Sequence, residues 1–138
     1  MQTFPYYLSY YNPLFGGPQA AQRSMMIGWG EGLNEAAFYL NDKAGSNNLH
    51  VFSWYDNGPF SYFFNGKAGN IPTQATMEAD QIARVLEADY AVIYIHQWQR
   101  LIPQPLLGQL SLLSPEKSIY INGLEYIRIY DLANLIPP

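Results

Sequence analysis

Leu33, Ala36, Ala37 and Leu40 recur at the spacing of one helical face, and this spacing predicts a helix opened by Gly28-Trp29-Gly30-Glu31-Gly32. Three glycines at alternate positions give that opening a backbone freedom no other residue provides. Glu31 is expected in the first turn, where a carboxylate meets the positive end of the helix, and Gly45 is the expected stop. Gln19 to Met26 reads as a short helix ahead of it. Asn48 to Trp54 reads as a strand, with Leu49, Val51 and Phe52 apolar, broken by Tyr55-Asp56-Asn57-Gly58-Pro59. For Phe60 to Phe64 the pattern decides no element type, and Lys67 to Thr76 reads as a loop. Met77 to Ala88 is a helix with Ile82, Val85 and Leu86 facing inward. Ala91-Val92-Ile93-Tyr94-Ile95 is a near-continuous apolar run, expected of a strand buried on both faces. A short helix around Leu106 to Leu110 follows. Ser118–Ile121 and Leu124–Tyr130 then flank Asn122-Gly123, the strongest two-residue hairpin signal, with Ile119, Ile121, Ile127 and Ile129 on one face.

This order of elements predicts an α/β fold in a single domain. The sheet is mixed, with a parallel centre and a C-terminal antiparallel hairpin, and helices cover it. Residues 1–15 read as an aromatic lead-in and residues 16–138 as the domain proper. Four tyrosines and two phenylalanines between Phe4 and Phe15, punctuated by prolines, suggest an extended lead-in closed by a turn. Such a composition also occurs where a chain leaves a bilayer, because aromatic rings favour the headgroup level.

Composition narrows the partners. Charged residues make up 13% of the chain, about half the usual share of roughly 25%. Aromatics reach 16%, with 12 Tyr, 7 Phe and 3 Trp. The expected surface is polar without being ionic, suited to a sugar, another domain or membrane headgroups. A net charge of −4 and only 7 scattered Lys and Arg exclude a nucleic-acid partner, which needs a basic face. With no cysteine, disulfides, thiolate metal sites and thiol nucleophiles are excluded. No apolar run approaches the roughly 20 residues of a spanning helix, and no basic region precedes an apolar core at the N-terminus. The sequence as given reads as a soluble fragment.

Ligands of open α/β sheets collect at the carboxyl ends of the parallel strands. Two clusters fall there, Trp54-Tyr55-Asp56-Asn57 and His96-Gln97-Trp98-Gln99-Arg100. With Trp29 and Glu31 they offer flat faces for sugar C–H groups and polar side chains for hydroxyls. The candidate ligand-binding residues are Trp29, Glu31, Trp54, Asp56, Gln97, Trp98 and Arg100. The plainer alternative is a set of strand-end loops with buried tryptophans and satisfied side chains. Glu31 and Asp56 are the carboxylate pair a glycosidase would need, but 11 acidic residues supply many such pairs by chance. His50 and His96 lack a nucleophile elbow and ligand spacing, so no metal site and no catalytic histidine is expected. The glycine run fits neither the dinucleotide fingerprint nor a P-loop, and no cofactor is expected.

Two motifs in order carry a resemblance. Phe4-Pro5-Tyr6-Tyr7-Leu8-Ser9-Tyr10-Tyr11-Asn12-Pro13-Leu14-Phe15-Gly16-Gly17-Pro18, followed by Gly28-Trp29-Gly30-Glu31-Gly32-Leu33, resembles the region after the last membrane helix of bacterial multi-spanning glycosyltransferases. These are related to dolichyl-phosphate-mannose–protein mannosyltransferases and aminoarabinose transferases. Tyr94 to Arg100 and the Asn122-Gly123 hairpin also look like the ends of such chains. The resemblance implies an accessory C-terminal domain on the extracytoplasmic face of the membrane, part of an integral membrane enzyme that uses polyprenyl-phosphate sugars. The expected partners are the membrane helices of the same chain and a glycan or lipid-linked sugar. The family's catalytic acidic residue lies on an early extracytoplasmic loop, and no residue here matches that motif; Gly28 stands where many relatives carry aspartate. No catalytic residue is therefore carried over. The alternatives are a freestanding carbohydrate-binding module and a structural cap packed on membrane helices.

Overall fold

The computed structural model describes residues 10–55 and 58–134, so most of the expected aromatic lead-in lies outside the described residues. A 3-10 turn over Pro13–Phe15 leads into α1 (Gly17–Ser24) and α2 (Leu33–Asn41). Then come β1 (His50–Ser53), α3 (Pro59–Phe63), β2 (Lys67–Asn70), α4 (Ala79–Leu86) and β3 (Tyr90–Tyr94). The chain continues through α5 (Ile95–Arg100), α6 (Gln104–Leu110), β4 (Lys117–Ile121) and β5 (Leu124–Asp131). The five strands form one mixed sheet in the order β2-β1-β3-β5-β4. β1 pairs in parallel with both β2 and β3, and β5 runs antiparallel to β3 and β4. This is the expected α/β sheet with its antiparallel hairpin.

The core has two halves, one on each face of the sheet. On one side Leu33, Ala36, Ala37 and Leu40 of α2 pack with Phe60 and Phe64 on Val51, Val92 and Tyr94 and on the isoleucines of the hairpin. On the other, Val85 of α4 and Leu106 and Leu110 of α6 pack on Ala91, Ile93 and Tyr130. β3 therefore feeds both halves, as its unbroken apolar run requires. The small, fully buried side chains of Ala36 and Ala37 let α2 lie close to the sheet.

Between β1 and α4 one element departs from the sequence reading and one undecided stretch acquires a type. Lys67–Asn70, expected as a loop, is the edge strand β2. Its Lys-Ala-Gly-Asn sequence has little strand propensity, and backbone pairing with His50–Ser53 supplies what its side chains do not. Gly69 is required there, since a Cβ would stand 2.7 Å from the Phe52 ring. The undecided aromatic stretch Phe60–Phe64 becomes α3, with Pro59 in its first turn and Phe60 buried. Asn41, the last residue of α2, secures the far end of α3 by donating to the Phe63 carbonyl at 2.7 Å and accepting the Asn65 N–H at 2.8 Å.

From the carboxyl end of β1 the chain turns to the α2–α3 face. From the end of β3 it passes through α5 to α6 on the opposite face. Neighbouring parallel strands whose connections part in this way leave a crevice at their carboxyl ends. Trp54, just after β1, and Tyr94 to His96, ending β3 and beginning α5, lie at that crevice.

Candidate functional site

The Gly28–Gly32 loop closes over the phenol of Tyr94. Gly28, Gly30 and Gly32 all have positive φ, at 99°, 108° and 83°. At Gly28 a Cβ would sit 2.2 Å from the Tyr94 hydroxyl, so the loop needs glycine both for its conformation and for its approach. The Tyr94 hydroxyl accepts the Gly30 N–H at 2.9 Å and donates to Glu31 Oε2 at 3.0 Å. The same Oε2 accepts the Trp29 N–H at 2.6 Å. The loop is thus tied to the central strand through one buried hydroxyl and one carboxylate.

Glu31 does not lie in the first helical turn, as expected from the sequence. Gly32, in the left-handed region, is the N-cap, so α2 begins only at Leu33. The carboxylate turns back instead to the loop that precedes it.

An aromatic stack continues from Tyr94. The Trp54 ring lies parallel to it, with centroids 5.0 Å apart and an interplanar angle of 2°. His96 stands edge-on to Trp54 at 4.7 Å and to Tyr94 at 5.4 Å. Burial, with the Glu31 carboxylate adding to it, pushes the Tyr94 phenol far above its usual range, so it remains a protonated donor. Burial first, then the Arg100 guanidinium, lowers the His96 imidazole below its usual value, partly opposed by Glu31 and by a hydrogen bond with the Gly28 backbone. His96 is accordingly neutral at pH 7.

The structure sorts the sequence candidates. Glu31 and Trp54 meet around Tyr94. Trp29 is carried beside them on the pinned loop with its side chain outward, 84% exposed. Gln97 is buried and structural: its Oε1 accepts the Tyr94 N–H at 2.9 Å and caps α5. Trp98 is half-buried, with the Arg128 guanidinium 4.5 Å from its ring centre, and Arg128 is itself held by Glu125 at 2.7 Å. Arg100 is exposed in the last turn of α5. Because α5 starts directly after β3, residues 96–100 are distributed around a helical turn and do not line one cleft. Asp56 lies outside the described residues.

Sequence reasoning missed Tyr94 and Gln99. Tyr94 counted as a member of an apolar run and of the resemblance but not as a site residue, although a buried tyrosine requires a partner for its hydroxyl. Gln99 stood inside the polar-aromatic run 96–100 but was not singled out from it. Its Oε1 accepts the Ile27 N–H at 3.2 Å, and its Nε2 donates to the carbonyls of Gln22 at 3.0 Å and Met25 at 3.3 Å. This one side chain fastens the end of α1 and the approach to the glycine loop onto α5.

Beside that clamp, a groove of about 530 Å³ runs between the end of α1 and α5, with Gln22, Met26 and Trp98 in its walls. Among the described residues no group of three His, Cys, Asp or Glu side chains is placed to hold a metal ion, and no helix is long and apolar enough to cross a membrane. The loop thus sets an outward indole and a carboxylate beside the Trp54–Tyr94–His96 ring cluster, in which Tyr94 is fully buried. Comparison with family models, with curated proteins and with solved structures finds no match to this chain.

Proposed function

We propose that this chain is the accessory, non-catalytic C-terminal domain of a membrane glycosyltransferase that uses polyprenyl-phosphate sugars, working on the extracytoplasmic face of the membrane. In this reading the Trp29–Glu31 loop meets the sugar of the donor or of the acceptor. The observation that carries the saccharide part is the presentation of Trp29. A large aromatic side chain is 84% exposed, yet its backbone is fixed by the Glu31 and Tyr94 hydrogen bonds. A side chain carried on an already fixed backbone spares binding the entropy of ordering the loop, and its ring face suits the C–H face of a pyranose. The transferase part rests on the motif resemblance.

The test is Trp29→Ala in the full-length transferase. The reading expects transfer activity to fall while expression and the thermal midpoint of the domain hold, because the side chain touches solvent and not the core. Unchanged activity with the same substitution would remove the saccharide role.

A further inference from the structure

We propose that the face formed by the 3-10 turn Pro13–Phe15, α1 and the Met25-Met26 stretch docks on the headgroup level of a phospholipid bilayer. Leu14 is 89%, Phe15 83% and Met25 56% exposed, and Met26 is exposed beside them. Only Gly17 of α1 is fully buried, and the rest of the helix is half-buried or exposed. Phe15, Met25 and Met26 are contiguous. Phe15 and Met25 share the walls of a groove of about 270 Å³. Met25 and Met26 border the neighbouring groove of about 530 Å³, with Ser24 and Met25 as the ridge between the two. Large apolar groups gathered on one face cost free energy in water in proportion to their area and mark an interaction surface.

Charge selects the occupant. Between Tyr10 and Gly30 the chain carries one charged residue, Arg23, and all 11 acidic residues of the sequence lie at or beyond Glu31. An acidic protein thus presents to its surroundings one stretch free of carboxylates, with exposed Leu, Phe and Met side chains and a single cation. A bilayer surface asks for this combination. Apolar and aromatic side chains enter the acyl boundary, and the arginine meets lipid phosphate. This inference does not depend on the transferase reading, because it concerns lipid binding by the chain on its own.

The experiment is flotation of the 138-residue protein with phosphatidylcholine vesicles, and in parallel with vesicles containing phosphatidylglycerol. The protein is expected to float with both and to remain bound in about 1 M salt, where screening reduces electrostatic reach to roughly 3 Å. The double variant Phe15→Ser, Met25→Ser is expected to lose at least roughly tenfold in partitioning, with an unchanged circular dichroism spectrum. Should that variant lose its fold, Leu14→Ser is read in its place. No flotation of the wild type, equal flotation of the variant, or binding to anionic vesicles alone that salt abolishes would each overturn the proposal. So would self-association in lipid-free sedimentation that the same substitutions remove, since the face would then pair with a second copy. Failure here leaves the Trp29 prediction untouched, and the converse also holds.

Discussion

Gly28 holds its φ of 99° directly over the Tyr94 hydroxyl, and two costs therefore meet in Gly28→Ala. The added methyl is strained in the left-handed region and collides with a buried phenol. Together these should destabilise the protein by about 3 kcal/mol in urea denaturation, with unchanged stability as the contradicting result. Tyr94→Phe removes only the hydroxyl but strips a partner from Glu31 and from the Gly30 N–H. It should cost about 1–3 kcal/mol, and Gly30 amide exchange should accelerate well beyond that of β3. The glycine run was legible in the sequence as a place where backbone conformation matters. Its partner was not, because Tyr94 stands 64 residues further along the chain from Gly30, on another element. A hydroxyl paired across the fold leaves no mark in local spacing.

At the scale of elements, the helices and strands that bury a periodic apolar face were readable: α2, α4, β3 and the β4–β5 hairpin follow their hydrophobic patterns. β2 was not, since an edge strand of Lys-Ala-Gly-Asn is held by its neighbour's backbone and carries no pattern of its own. The immediate start of α5 was equally hidden. Its capping residue Gln97 lies within a polar-aromatic run whose composition resembles a binding loop. Gln99 supplies the side-chain hydrogen bonds that tie the end of α1 to α5. Gln99→Ala should therefore raise hydrogen exchange at Ile27 and speed proteolysis between α1 and α2, while amides of β3 and β5 remain protected. Uniform protection in the variant would show that α1 is held by other contacts.

Across the whole molecule, the end of the sheet opposite the aromatic crevice is closed by a charged cluster. Glu116 pairs with Lys43 at 2.5 Å and accepts hydrogen bonds from Tyr39 at 2.5 Å and Tyr90 at 3.4 Å, joining α2, β3 and the approach to β4. Burial alone would raise the Glu116 carboxyl, but the hydrogen bond from Lys43, with those from Tyr39 and Tyr90, more than offsets it and holds it below the usual carboxylate range. The folded-state value is depressed, so this stability is fully present above the ordinary carboxylate value and is lost as pH falls through the folded one. The thermal midpoint should decline on acidification below the ordinary value of 4.5, and less steeply in Glu116→Gln, which starts lower at neutral pH. Parallel declines would place the acid sensitivity elsewhere. The cluster is far from the proposed saccharide surface, so Glu116→Gln should leave any sugar binding unchanged. That surface is tested most directly by following the Trp29 indole N–H and the Gly28–Gly32 amides by NMR, while short-chain polyprenyl-phosphate hexoses are titrated in. Saturable shifts confined to this loop and the neighbouring Trp54–Tyr94–His96 cluster, absent for the loop amides of Trp29→Ala, are the expected result. No shift in the loop with any sugar of the panel would contradict a saccharide role for this domain.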